Sequence, residues 1–279
     1  FVNVLSELQW EDVESNTVRL SYRASGGLKD RRVKAYLRLE AEYGWIYSGE
    51  VRDSDYAGDD RTLEFSRSNN QADKGDVVDV IGGIGPQLRS RGGNVKIMPL
   101  VGYAYHEQDL VLTDGLQTVS EQSIIDAVVG TGEIILQPVG PFPGLDSDYE
   151  AHWKGPWVGL DMEAQFGRWA LLGGAEIHFM DYEAEAMWNL REDLAQPTSF
   201  EHEADGYGLV FSAQSSFALN ERWRVLVEAR YMDFWTDPGI DRIFHVDQTT
   251  GEVRVTETRL NEVNWQSGSA SLGLVYRFE

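Results

Sequence analysis

The chain has 279 residues, with 24 Lys+Arg against 46 Asp+Glu for a net charge of −22, and it has no cysteine. This charge repels nucleic-acid phosphates and offers no polybasic anchor for an anionic membrane surface, and the missing thiols exclude a disulfide framework and thiolate chemistry. The mean hydropathy is −0.37 and no apolar run approaches the ~18 residues of a membrane-spanning helix, so the fold must be read from the order of the residues rather than from their average.

That order has a period of two. Val33, Ala35, Leu37, Leu39, Ala41, Tyr43 and Trp45 fall on one face of an extended chain, and Lys34, Tyr36, Arg38, Glu40, Glu42 and Gly44 on the other. The same sorting returns in residues 169–179, where Trp169, Leu171, Ala175, Ile177 and Phe179 oppose Glu176 and His178. It returns again in residues 207–217, and in 222–232 with Trp223, Val225, Val227, Ala229 and Tyr231 opposite Arg222, Arg224, Glu228 and Arg230. Strands are predicted near 2–11, 16–25, 32–48, 75–87, 94–113, 149–166, 168–185, 200–219, 222–236 and 256–278, ten in all if Asp12–Ser15 is a tight turn. One continuous strand over 2–25 would leave nine.

The apolar faces begin and end on aromatics with small aliphatics between, and the opposite faces carry charged and small residues. A soluble sandwich would also alternate, but this banding describes strands that face lipid. The connections alternate between short turns (Gly26–Asp30, Leu88–Gly92, Asn220) and long segments at 49–74, 114–148, 186–199 and 237–255. The last strand alternates Ala270, Leu272, Leu274, Tyr276 and Phe278 with Ser269, Ser271, Gly273 and Arg277, similar to the assembly signal of outer-membrane barrels. Backbone groups in lipid must all be paired, so the sheet has to close. The expectation is an all-β chain: one domain over 1–279, a closed antiparallel transmembrane β-barrel of about ten strands with long extracellular loops. It would sit in the bacterial outer membrane with lipid as its immediate partner and no role for nucleic acid. Inside, Arg19, Arg23, Arg38, Arg222, Arg224 and Arg230 would meet Glu40, Glu42, Glu163, Glu176 and Glu228 and plug the lumen. The apolar stretch 123–143 suits packing over the mouth or contact with a protein partner.

Residues 52–64, RDSDYAGDDRTLE, concentrate five carboxylates: Asp53, Asp55, Asp59, Asp60 and Glu64. Asp53, Asp55, Gly58 and Glu64 fit the spacing of a calcium-binding loop, although Ala57 removes one side-chain ligand and no helices flank it. Asp53, Asp55 and Glu64 are therefore the metal candidates, with calcium as the one cofactor to consider. The bland reading is a hydrated acidic loop. Among the histidines, His178 and His106 point inward, where a lumen hydrogen bond suffices to explain them. His202 in FEHEAD lies on the same side of the membrane as the acidic segment, while His152 and His245 suggest no partner.

Several short segments in order resemble the omptins, outer-membrane proteases of Gram-negative bacteria. Ser6-Glu7-Leu8-Gln9-Trp10 resembles the family's second strand, Leu100-Val101-Gly102-Tyr103 its fifth and Gly155-Pro156-Trp157-Val158-Gly159-Leu160 its sixth. Leu171–Gly174 resembles its seventh, and Val227-Glu228-Ala229-Arg230-Tyr231 its ninth. On that register the family's first strand would precede residue 1. The resemblance implies a ten-stranded barrel, and a peptidase site in which a water is held between an Asp pair and an Asp–His pair. Asp53-Ser54-Asp55-Tyr56 resembles the segment that carries the first pair. Where the Asp–His pair is implied, this chain has Glu185-Ala186-Met187-Trp188-Asn189-Leu190, which offers no imidazole. Basic residues implied for lipopolysaccharide binding are replaced by Glu107, Gln165 and Glu201 or Glu203. The resulting expectation is an omptin-like barrel that is not proteolytic and has a structural, adhesive or ligand-binding role at the cell surface. The alternatives are an endopeptidase with a relocated histidine, built on Asp53, Asp55 and His202, or a small pore.

Overall fold

The computed structural model describes residues 4–27, 33–132 and 134–278, and among these the chain is one antiparallel sheet of eleven strands. In chain order the elements are β1 (Leu5–Gly26), β2 (Val33–Gly58), a 3-10 turn (Asp59–Arg61), β3 (Thr62–Arg89), β4 (Val95–Ser120), α1 (Gln122–Val129), β5 (Gly140–Phe166) and β6 (Trp169–Met187). Then follow β7 (Phe200–Ala218), β8 (Trp223–Thr236), β9 (Gly239–Val246), β10 (Val253–Leu260) and β11 (Asn264–Tyr276). Neighbours in sequence are neighbours in the sheet from β1 through β8, and β11 then pairs with β8. β9 and β10 leave this path as a hairpin, with β9 added to the upper end of β7.

The strand count and several bounds differ from those predicted. Residues 5–26 form one strand, because Asp12 takes a left-handed conformation (φ 52°) inside a bulge over Glu11–Ser15 rather than closing a turn. The bulge shifts the inward phase of the facing strand. Residues 36, 38, 42 and 46 are buried on β2 below it, and 49 and 51 above it. Period-two reasoning loses its phase at such a point. Of the segments expected as long loops, 186–199 is a connection between β6 and β7 as expected and 114–148 is strand only at its ends, but 49–74 and 237–255 are largely strand. Residues 49–74 are the tips of β2 and β3, which pair from Glu50–Gln71 to Gly58–Thr62. Residues 237–255 hold β9 and the start of β10. The stretch 123–143 begins within α1, whose Ile125 is fully buried, while Ile134, Ile135 and Val139 remain exposed. The predicted turn at Gly26–Asp30 lies largely outside the described residues.

The two faces agree with the pattern. Tyr43, Trp45, Trp169, Tyr207, Trp223, Tyr231 and Tyr276 are all exposed, as are Val80, Ile84, Val101, Leu171, Ile177 and Val227 between them. Edge-on aromatic pairs, such as Trp223 with Tyr276 at 5.0 Å between ring centres, mark the ends of the apolar band.

The inward face is a packed core. The sheet curls so that the Arg38 guanidinium of β2 reaches Asp161 Oδ1 on β5 (3.0 Å) and Glu176 Oε1 on β6 (2.6 Å), and it lies 4.7 Å from the centre of the Trp157 ring. Trp157 fits because Gly83 and Gly102 line its slot. A Cβ on either would stand 2.5 Å from indole carbons. Above this level Trp153, Tyr182, Phe234, His106 and His178 fill the interior. His106 Nδ1 is 2.6 Å from Asp79, and His178 Nε2 is 3.0 Å from Glu176, the lumen bonds expected of both. Near the ends of the strand path, Arg19 of β1 pairs with Glu42 of β2 (2.5 Å) and with Glu228 of β8.

Three substitutions test these faces. Arg38→Met leaves two carboxylates buried without their cation and should cost about 3–5 kcal/mol in reversible unfolding from detergent micelles. Val227→Arg puts a charge into the outward apolar band and should cost about 2–4 kcal/mol, whereas Glu228→Gln on the inward face should cost clearly less. Equal costs at 227 and 228 would mean that the faces are assigned wrongly.

Candidate functional site

The ends of β2, β3, β5, β6 and β7 that rise beyond the aromatic band bring together the polar groups of the mouth. Asp53 and Asp55 lie on one face of β2, opposite Ser68 and Ser66 of β3. Segment 52–64 is therefore a strand, a tight turn and the start of the next strand, rather than a loop. The Ser6 hydroxyl donates to Asp55 Oδ1 at 2.5 Å. Burial, and for Asp53 the neighbouring Asp55 charge, push both carboxyls above the ordinary carboxylate range, Asp53 up to about 7. Arg191 opposes the shift in both, and a side-chain hydrogen bond from Trp188 opposes it in Asp53.

Trp188 and Arg191 come from the β6–β7 connection, and the fold of that connection decides what the Asp pair faces. Trp188 packs edge-on against Phe200 at 5.3 Å, and its backbone N–H donates to Ser199 Oγ. Arg191 is held by a two-point ion pair to Asp193 (2.8 and 2.7 Å), which raises its own pKa along with burial acting against it and the attraction of Asp55 and Asp53. Asn189 is fully committed to β5. Its amide donates to the Gly144 carbonyl (2.7 Å), and its Oδ1 accepts from Asp146 N–H and the Ser147 hydroxyl (both 3.0 Å). The residues nearest to the implied Asp–His position thus anchor the connection and cap the carboxylate pair.

His202 belongs to a separate network. Its Nδ1 is 2.8 Å from the Tyr149 hydroxyl, which in turn bonds Tyr182 Oη at 2.6 Å. Its Nε2 lies 3.3 Å from Asp241 Oδ1 on β9. Burial works to raise the Asp241 carboxyl, but His202 and the Thr258 hydroxyl (2.7 Å) outweigh it and hold the group below its ordinary range. The sequence pointed to His202 but not to Asp241, because only the β7–β9 pairing, which sets His202 opposite Asp241, makes them neighbours. Burial also pushes the Tyr149 hydroxyl upward, beyond the range of physiological titration.

The third calcium candidate, Glu64, is occupied by Arg67 at 2.5 Å. Glu201 and Glu203, two residues at the implied lipopolysaccharide positions, pair with Arg242 at 3.8 and 2.9 Å. Among the described residues, the one gathering of three ligand-type groups within 4.8 Å of one another is Glu107, Glu150 and His152, on β4 and β5.

A curled antiparallel sheet with a lipid-facing exterior, a filled lumen and a polar mouth defines an outer-membrane β-barrel of omptin-like fold. The chain belongs to the family described as Pom, Protochlamydia outer membrane protein, whose model matches residues 1–278. Among solved structures, it is similar to the outer membrane protease OmpT from Escherichia coli, with a TM-score of 0.62 and 12% identity over 99% of this chain and 97% of that one. At that identity the likeness is one of fold. No curated protein matches the chain. The family and the fold together place the protein in the bacterial outer membrane.

The Asp pair makes stability depend on pH. Asp53 keeps its proton in the folded state up to about 7, whereas its ordinary value is 3.8. Between those values the folded state binds more protons than the unfolded one, so stability falls as pH rises through that window. Asp53→Asn should flatten the slope measured by equilibrium unfolding in micelles, and an unchanged slope would refute the assignment.

Proposed function

We propose that this outer-membrane barrel closes on itself in the bilayer, does not cleave peptides, and serves a structural, adhesive or ligand-binding role at the cell surface. Closure is supported by the Arg19–Glu228 ion pair, which brings the first strand of the sheet path to the strand that pairs with the last. It is also required in lipid, where unpaired edges of β1 and β11 would each leave a row of backbone groups without partners. Nine strands, β1–β8 and β11, form the wall in this reading. The β9–β10 hairpin stands above the membrane.

The observation that carries the non-proteolytic reading is the surroundings of Asp53 and Asp55. Peptide hydrolysis needs a group that takes a proton from the attacking water at neutral pH, and such a base is worth about 10²–10⁴ in rate. The base that the omptin resemblance implies is an imidazole across from the pair, and the groups that the β6–β7 connection brings there are an indole and a guanidinium, both of which are donors. Arg191 also supplies the positive charge that a calcium ion would bring, and Glu64 is held by Arg67. The charged and aromatic filling of the lumen argues likewise against a pore.

The Asp241–His202 pair favours a second reading, a peptidase with its imidazole moved to β7. In that reading Tyr149 would have to release Nδ1 of His202 for the proton transfer.

Purified protein in lipopolysaccharide-containing micelles should leave peptides with paired basic residues intact, show no steady conductance in planar bilayers, and give no heat with millimolar calcium. Cleavage that is lost in both Asp53→Ala and His202→Ala would establish the peptidase instead. Calcium heat that is lost in Glu64→Ala would establish a metal loop.

A further inference from the structure

The group on the outward face of β4 and β5 lies apart from the mouth. Odd-numbered residues of β4 point outward here, since Ala104, His106, Gln108 and Leu110 are buried and Tyr103 is exposed. On β5 the outward set is even, opposite the buried Tyr149, Ala151 and Trp153. Glu107 and His152 are direct cross-strand partners, and Glu150 is two residues from His152 on the same face. Sheet geometry thus brings three side chains to one point from rigid backbone.

Their spacing fits an ion better than a proton. His152 Nε2 lies 3.1 Å from Glu150 Oε1 and 3.6 Å from Glu107 Oε2. One ring N–H can satisfy the nearer oxygen, but 3.6 Å is beyond a hydrogen bond, so Glu107 Oε2 takes no proton from this ring. With metal–ligand bonds of about 2.1 Å, the edge of a tetrahedron is about 3.4 Å, which falls between the two observed separations. The ligands are oriented from outside as well. The Tyr105 hydroxyl donates to Glu107 Oε2, and the Tyr105 ring lies 5.6 Å from the imidazole. Such outer contacts are what hold ligands in place around a metal. The neighbouring cation, Lys154, is bonded to Glu183 at 2.5 Å. All three ligand side chains are partly exposed, level with Tyr43 of the aromatic band, which marks the membrane–water interface and leaves a position for water.

We propose that Glu107, Glu150 and His152 form a binding site for a divalent ion of the zinc class on the outer wall of the barrel. One imidazole with two carboxylates suits a borderline ion, whereas calcium and magnesium prefer all-oxygen sets. The site is independent of whether the mouth has peptidase activity.

The test is a titration of zinc chloride into the full chain folded in detergent micelles at neutral pH, with heat-modifiable gel mobility as the control for folding. One equivalent should bind. His152→Ala and Glu107→Gln should each weaken binding at least about tenfold, and Tyr105→Phe should weaken it measurably by releasing the outer contact. His202→Ala should leave it unchanged, and excess calcium or magnesium should not displace the zinc. Absence of zinc binding, or binding that persists in both His152→Ala and Glu107→Gln, would overturn the proposal. Displacement by calcium would overturn the assigned ion class.

Discussion

The structure depends on the charges inside the sheet being paired. Arg38 projects from β2 into a space from which water is largely excluded, and Asp161 and Glu176 meet it from β5 and β6. An unpaired charge there would cost several kcal/mol, so the three strands are bound to one curvature. Trp157 stacks on the same guanidinium, and Arg19, Arg23 and Arg230 continue the ladder with Glu40, Glu42 and Glu228. A sheet with an apolar exterior has no other way to keep so many formal charges. Ion pairs and indoles fill the interior of the sheet.

With the wall fixed, the strands can run past the membrane and still be ordered. β2, β3, β4 and β5 each span more than 25 residues, well over twice the ~9–11 that a tilted strand needs to cross the hydrocarbon. Their upper ends, with α1 against β2 and β3 and the β9–β10 hairpin added to β7, form the mouth. The same architecture therefore separates two kinds of acidic group. Asp53 and Asp55 face inward, where burial raises them and Arg191 answers them. Glu107 and Glu150 face outward beside an imidazole. The inner pair has its counter-charge within the chain, and the outer pair is arranged to take one from solution.

The chain shares its fold with an outer membrane protease at 12% identity, and its own mouth is held by contacts that the wall does not dictate. The β6–β7 connection supplies several of them. Asn189 gives every polar atom of its amide to β5, so this part of the connection holds the rim together. Trp188 and Arg191 then occupy the space above the carboxylates. Function in such folds sits in a few side chains carried by connections, and those are free to vary when the wall is stabilised elsewhere.

The alternation of apolar and polar residues by itself determined the strand class, the lipid-facing set from Tyr43 to Tyr276, and the membrane location, because period two in a banded pattern has few physical solutions. It also placed Arg38, Glu176 and His178 inside. It did not determine where the strands end. Above the membrane both faces of a strand are polar, and the periodic signal vanishes although pairing continues, which is why 49–74 and 237–255 read as loops. The bulge at Asp12 hid for a related reason, since it resets the phase locally. The partnerships Asp241–His202 and Glu107–His152 join residues 39 and 45 positions apart by number. Only register across the sheet decides such pairs, and register is a property of the assembled wall rather than of any one strand.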